Sequence, residues 1–364
     1  MKKKLAYIGL ASLLLSFTAC ESSDNEFSDF DYQTVYFANQ YGLRTIELGE
    51  DEFLDNSLDN QHKVSIKAAW GGGYTNRKNV IIDTQIDESL CENLYFKGSN
   101  TPVTPMPTSY YTLAANQINI PKGEVIGGVE VQFTDAFFAD KKTLDNYYVI
   151  PLKMTGVQGA DSILQGKAVV ANPMLTNSGD WSVQPKNFVL YAVKYVNPWH
   201  GEYLRRGVDQ AVINGVSSQL VRHQQYVEKD EKVNITTESL KDNILSLSTK
   251  DAQGNLFNYN LSLTFTEDGN CTVGSTSDDL IISGTGKFVK KGEKNSLGGK
   301  DRNAIYLDYT IDFKTKNMQY ATKDTLVLSS RAVQGGKSFE IEILSYYLRI
   351  FTAIHPHFTP SNAN

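Results

Sequence analysis

The sequence is short of cysteine, with three in a chain of 364 residues, which argues against a fold stabilised by disulfides. Cys91 and Cys271 lie 180 residues apart, in segments that we assign to different domains, so we expect no disulfide between them. Neither has neighbours at the spacing of a metal site. We therefore expect both thiols to pack as small apolar groups. Cys20 is left to be explained.

The chain also lacks a strong charge of one sign. Its formal net charge is −6, from 35 Lys and Arg against 41 Asp and Glu. Removing residues 1–19, which carry three lysines and no acid, leaves 32 basic against 41 acidic residues, or −9. A mildly acidic protein is a poor candidate for binding nucleic acid or anionic lipid. We expect no nucleic-acid partner.

Catalytic motifs are absent as well. The sequence has no GxSxG, no HExxH, no P-loop and no GxGxxG that leads into a helix. Its five histidines are scattered, and His355 and His357 would supply only two metal ligands on a polar tail. We therefore predict no metal, no cofactor and no enzymatic activity. A hydrolytic carboxylate pair hidden among the 41 acids stays open as a remote alternative.

The one long apolar run, residues 5–17, is too short to span a bilayer and follows three lysines. It ends at "LSFTAC", which resembles a bacterial lipobox, although Phe17 stands where Leu is usual. The resemblance implies that residues 1–19 are a lipoprotein signal peptide and that the thiol of Cys20 is acylated. A plain secretory signal is the alternative. The acidic residues 20–32 predict a flexible tether and resemble the surface-export signal of Bacteroidetes lipoproteins.

The ordered part of the chain is dominated by alternation of period two. In "AIYLDYTIDF", for example, Ile305, Leu307 and Tyr309 share one face. Such alternation predicts half-buried strands, and glycine-rich or Asp-Gly turns separate them. Residues 172–187 are rich in Pro, Asn, Ser and Gly and mark a domain boundary, followed by an apolar strand within 188–197. The fold class predicted is all-β with two domains.

Two resemblances to known families predict the type of each domain. "WGGGYTNRKNVIIDTQID" and "YYVIPLKMTG" resemble the Ig-like N-terminal module of Bacteroidetes surface lipoproteins, which also precedes some endo-β-N-acetylglucosaminidases. "VKYVNPWHGEYLRRG" and "LTFTEDGNCTV" resemble a lipocalin-like (calycin-type) antiparallel β-barrel. The division implied is 33–172 for an Ig-like β-sandwich, 173–197 for a linker and connecting strand, 198–354 for the barrel and 355–364 for a C-terminal tail.

The resemblances imply a lipid-anchored outer-membrane protein that faces the cell exterior and binds glycans without cleaving them. Its implied partners are an oligo- or polysaccharide, an outer-membrane transporter complex and the membrane itself. Sugars stack on aromatic rings and hydrogen-bond through their hydroxyls. The residues we select as candidate glycan contacts are Trp70, Tyr74, Trp181 and Trp199. A structural or protein-interaction subunit, such as an adhesin, is the alternative.

Overall fold

The computed structural model of the chain describes residues 32–51, 54–333 and 338–343. The expected signal peptide, Cys20 and most of the tether lie outside this range, as does the tail at 355–364. The all-β prediction is confirmed: two short α-helices, α1 (Ser57–Asn60) and α2 (Asp135–Ala139), accompany 24 strands in the described residues. No helix in that part of the chain combines the length and the apolar character needed to cross a bilayer.

The first domain is built on one large sheet of eleven strands. Nine of them follow the order β11-β1-β3-β9-β8-β4-β10-β14-β2, with β6 added to β10 and β7 to β9, while β12 and β13 form a separate pair. The bounds are β1 (Thr34–Tyr36), β2 (Leu43–Glu47), β3 (Lys63–Gly71), β4 (Val80–Ile86), β5 (Leu94–Phe96), β6 (Thr104–Pro105), β7 (Tyr111–Leu113), β8 (Gln117–Ile120), β9 (Ile126–Phe133), β10 (Tyr148–Gln158), β11 (Ser162–Ile163), β12 (Lys167–Ala168), β13 (Trp181–Val183) and β14 (Phe188–Val196).

Strand β14 explains why its sequence is apolar at nearly every position. Val189, Val193 and Tyr195 face the main core of the first domain, while Phe188 and Leu190 face a second, smaller core on the opposite side. A strand buried on both faces shows a continuous apolar run instead of alternation. The segment that the sequence analysis treats as a connecting strand is therefore an interior strand of the first sheet, hydrogen-bonded between β10 and β2.

The second domain is a closed barrel of eight antiparallel strands. Strands β17 to β23 pair in chain order, and β23 returns to pair with β15, which also pairs with β17 and so closes the ring. The bounds are β15 (Gly201–Ile213), β16 (Val216–Arg222), β17 (Glu231–Thr237), β18 (Asp242–Lys250), β19 (Leu256–Phe265), β20 (Asn270–Ser275), β21 (Leu280–Glu293), β22 (Arg302–Phe313) and β23 (Met318–Ser330). Closure leaves no free edge within the eight-stranded ring, and β16 pairs with β15 outside that ring.

Two features tie the domains together. Arg331 follows β23 and is buried, where its guanidinium donates hydrogen bonds to the carbonyl oxygens of Leu48 (2.9 Å) and Asn197 (2.8 Å). The chain then returns to the first domain: β24 (Ile341–Ile343) pairs with β5, and Phe339 is buried in the smaller core. Residues 338–343, which the sequence analysis includes in the barrel, belong to the first domain because their apolar side chains complete that core.

The two cysteines inside the domains are free thiols in the described structure. Cys91 packs in the smaller core of the first domain and Cys271 in the interior of the barrel. Burial raises the pKa of each thiol to about 12, so both stay protonated at neutral pH.

Candidate functional site

One end of the barrel is open because β15 changes its neighbour halfway along. Its first half pairs with β17 up to Arg205, and its second half, from Gly207, pairs with β16. The far edge of β16 therefore faces the hairpin between β18 and β19 across a gap. A cavity of about 620 Å³ opens there, and we call this region the barrel mouth; β15, β16, β17, β18, β19, β22 and β23 contribute to its lining.

A buried ionic network lies inside the mouth. Asp324 accepts hydrogen bonds from Arg205 Nε (2.9 Å), Arg222 Nη2 (2.7 Å) and the hydroxyl of Tyr309 (2.7 Å). Arg222 also holds Asp209 through two bonds of 2.8 Å, and Thr322 donates a third to the same carboxylate. Bidentate pairing of a guanidinium with a carboxylate is among the strongest side-chain contacts in proteins. The network therefore fixes the positions of its members.

The same network also keeps the protonation states of its side chains constant. Burial by itself would lower the pKa of Arg205, but the negative charge of Asp324 more than offsets this and holds the pKa well above its ordinary value. Burial raises the pKa of Asp209, but the hydrogen bonds and the charge of Arg222 lower it by more, so the net shift of this pKa is downward. Burial and the charge of Asp324 raise the pKa of Tyr309. These groups hold constant charge near neutral pH and offer no proton for acid–base chemistry.

The network is complete on its acceptor side and incomplete on its donor side. All four oxygens of Asp209 and Asp324 accept hydrogen bonds. In contrast, the buried Nη1 of Arg222 has no hydrogen-bond partner among the described residues. An unpaired buried donor is costly. Arg222, Arg205 and Asp209 all line the cavity, so the mouth offers fixed polar groups to a ligand.

Aromatic rings form the wall next to the network. Phe257, Tyr259 and Tyr320 pack edge-on around the buried ring of Phe313, with centroids 5.2–5.8 Å from it. The three outer rings are only partly buried, and Tyr259 and Tyr320 line the cavity. Rings whose edges are held by a packed neighbour present a rigid surface to a ligand. The site combines this surface with fixed polar groups.

Two candidates from the sequence are corrected by their burial. Trp70 is 3% exposed and packs in the main core of the first domain, on the same face as Val64 and Ile66. Trp199 is 7% exposed and stacks flat on Phe265 at the end of the barrel opposite the mouth, with the ring centroids 4.2 Å apart. Trp199 lines a groove of about 520 Å³ there, but its stacked face is covered. Neither ring can stack on a sugar.

The other two candidates are accessible but lie on separate elements of the first domain. Tyr74 is 69% exposed in the connection between β3 and β4. Trp181 begins β13, is partly exposed, and donates its indole N–H to the carbonyl of Met174 at 2.8 Å. Val169 and Val183 nearby are exposed. This is an accessible apolar surface, without the buried polar groups that the barrel mouth provides.

A larger cavity, about 1020 Å³, lies between the domains but suits a sugar less well. Among the residues that the structure describes, none that lines this cavity is aromatic. Its charged side chains bridge the two domains, as in the ion pairs of Lys290 with Glu50 and of Arg331 with Glu47. These pairs connect the domains.

Sequence reasoning missed the network at the mouth, although a signal was present. In "YLRRGVDQA", Arg205 and Asp209 have the same parity as the buried Tyr203, and Thr322 and Asp324 have the parity of Leu326. Charged residues at inward positions of apolar strands are rarely left unpaired. That pattern predicts a buried ion pair, but which residues pair depends on the register of distant strands.

The fold and the site together define a two-domain all-β protein whose C-terminal barrel has a polar, ring-lined mouth. Residues 198–332 match the family model described as "Domain of unknown function (DUF5627)", and residues 30–161 match a model described as a "-like, N-terminal domain". A solved structure of a Bacteroides ovatus protein of unknown function shares 68% identity with the chain, covering 86% of it and 100% of that protein, with a TM-score of 0.83. The chain belongs to the same family as this protein.

Two further solved structures from Bacteroides ovatus are more distant. A multidomain protein that includes DUF1735 shares 12% identity with a TM-score of 0.40, over 85% of this chain and 99% of that one. A proposed carbohydrate-binding protein shares 10% identity with a TM-score of 0.26, over 85% and 98% of the two chains. No curated protein matches the chain.

Proposed function

We propose that the protein is a surface-exposed lipoprotein of the outer membrane that binds glycans, without cleaving them, for an uptake system. The observation that carries this proposal is the barrel mouth, where partly exposed tyrosine rings lie beside a fixed polar network with an unfilled donor. A pyranose offers an apolar face to such rings and hydroxyl groups to such a polar lining. A transporter complex in the same membrane would take up the bound glycan.

The proposed arrangement puts an Ig-like first domain next to the membrane and a lipocalin-like barrel beyond it. Acylation of Cys20 would supply the anchor, since two or more acyl chains hold a soluble domain stably on a membrane. Cys20→Ala is expected to abolish incorporation of labelled palmitate and to release the protein from the membrane fraction. Retention of both label and membrane association in this variant would rule out Cys20 as the anchor.

Binding is favoured over hydrolysis by the state of the two buried carboxylates at the mouth. A glycosidase needs one carboxyl group that stays protonated and a second one placed across the scissile bond. Here Asp209 and Asp324 are each held by arginine, and the pKa of Asp209 is lowered. Release of reducing sugar by the purified protein would instead support the remote alternative of a glycoside hydrolase.

Tyr320→Ala is expected to weaken glycan binding about tenfold, because it removes a ring that lines the cavity while the ionic network stays intact. Affinity electrophoresis against a panel of host and plant glycans measures the effect. Tyr226→Ala is the matched control, since Tyr226 is an exposed barrel tyrosine that does not line the cavity. The folded wild-type protein binding no glycan in the panel would count against the proposed function.

A protein-interaction role is a second candidate because of β16. In the part of the chain that the structure describes, this strand pairs only with β15, and Val216, Leu220 and Val221 on it are exposed. Open edges accept an extended segment from a partner. A membrane partner that co-purifies with the protein, together with no retention on any glycan, would favour this role.

A further inference from the structure

The barrel mouth has no excess of positive charge. The lining contains three cationic side chains, Arg205, Arg222 and Lys250, and three anionic ones, Asp209, Glu231 and Asp251. Asp324 lies beneath them, with its side chain fully buried, and adds one more negative charge. An acidic ligand would therefore find no excess of positive charge at this site, unlike in typical anion sites, where cations dominate.

The positions of these charges strengthen the point. Both arginines are already neutralised by carboxylates inside the network. Glu231, whose side chain is 38% exposed, holds Arg205 at the rim, and Asp251 caps the turn between β18 and β19 by accepting from the backbone of Gln253 and Asn255. Glu231 and Asp251 line the same cavity as Arg222, so a carboxylate or sulfate bound there would lie near negative charge, and like charges in close contact are strongly disfavoured.

The mouth is also closed below the network. The barrel interior beyond Arg205 is filled by buried apolar side chains, among them Tyr203, Leu263 and Phe265, and Trp199 covers the far end. A ligand can therefore enter with one end but cannot pass through. The cavity volume of about 620 Å³ is in the usual range for small-molecule sites and suits a few sugar units, not a long segment.

We infer that the barrel mouth binds the uncharged end of a glycan chain and rejects ends that carry a carboxylate or sulfate. The inference rests on the proposed function, since it names the ligand class of the same site. The hydroxyls of a neutral terminal sugar hydrogen-bond with polar groups that line the cavity, and its apolar ring face lies against Tyr259 or Tyr320. The two rim acids act as the selective element.

Matched pairs of glycans test this inference, because each pair differs only in charge. One pair is a sialylated complex N-glycan and the same glycan after enzymatic removal of sialic acid. The second is oligogalacturonate with its carboxylates free and the same oligomer fully methyl-esterified. Titration of the intact mature protein with each member is expected to show at least about tenfold tighter binding of the neutral form in any pair that binds.

A rim variant identifies the source of the preference. Glu231→Gln is expected to raise the affinity for the acidic member about threefold relative to the affinity for the neutral member of the same pair. Glu267→Gln is the control, because Glu267 lies near the closed end and is exposed. Equal or tighter binding of the acidic member by the wild type would overturn the inference and leave the proposed function standing. Binding of neither member in any pair, nor of any neutral glycan in the wider panel, would overturn both.

Discussion

Asp324→Ala is expected to lower the free energy of unfolding of the barrel by about 3–5 kcal/mol. The Asp324 side chain is fully buried and accepts hydrogen bonds from Arg205, Arg222 and Tyr309. Its removal leaves the guanidinium of Arg205, 5% exposed, with one remaining carboxylate at the rim. The cost of an incompletely compensated buried charge exceeds the cost of the lost contacts. Chemical denaturation of both proteins measures the difference.

Two further variants make this experiment decisive. Asp308→Ala is the matched control, since Asp308 lies on the neighbouring strand, is exposed and pairs with Lys323 at 3.3 Å; we expect a change of about 0.5 kcal/mol or less. Asp324→Asn keeps the size and one acceptor, so it is expected to fold even where the alanine variant does not. A loss below about 1 kcal/mol for both Asp324 variants would show that water reaches the network and screens it.

Trp199→Ala is the second change with a large expected effect, a loss of about 3–5 kcal/mol in the free energy of unfolding. Its ring is stacked on Phe265 with an interplanar angle of 8°, and its carbonyl accepts the Tyr203 hydroxyl at 2.9 Å. Truncation opens a cavity at the closed end of the barrel, where rigid strands limit collapse. Glycan affinity of the folded fraction is expected to stay within about twofold, because the mouth is at the other end.

Trp181→Ala is the matched control for this truncation. Trp181 is partly exposed and makes one hydrogen bond through its indole N–H, so we expect a loss of about 1 kcal/mol or less. Trp199→Phe retains a ring against Phe265 and should recover most of the stability. A large loss of glycan affinity in stable Trp199→Phe would instead return this residue to the list of ligand contacts.

The sequence predicts the fold class well where one physical signal dominates. Alternation such as Ile305, Leu307 and Tyr309 in β22 follows from a barrel wall with a single buried face, and the structure has those side chains in the interior. The same rule does not describe β14, which is buried on both faces. It also does not assign residues 338–343, because their partner β5 lies more than 200 positions earlier in the chain.

Aromatic residues show a different limit. Periodicity places Trp70 on the same strand face as Val64 and Ile66, but it does not predict how exposed the end of that strand is. In the structure the Trp70 ring is buried. Tyr259 and Tyr320 have the same inward parity as their buried neighbours, yet they are partly exposed because they lie at the open end of the barrel. Exposure along an inward face depends on distance from the mouth, which no local pattern encodes.

The amino-acid sequence by itself determines that this chain is all-β, that it has two domains and that its inner cysteines do not face solvent, since each follows from local pattern and burial preference. Only the tertiary structure decides where the candidate site lies. Arg205 meets Asp324 across 119 positions and Arg222 meets Asp324 across 102. These contacts exist because the closure of the ring brings β15 against β23 in one register. Closure is a property of the whole barrel, and so is the polar mouth that it creates.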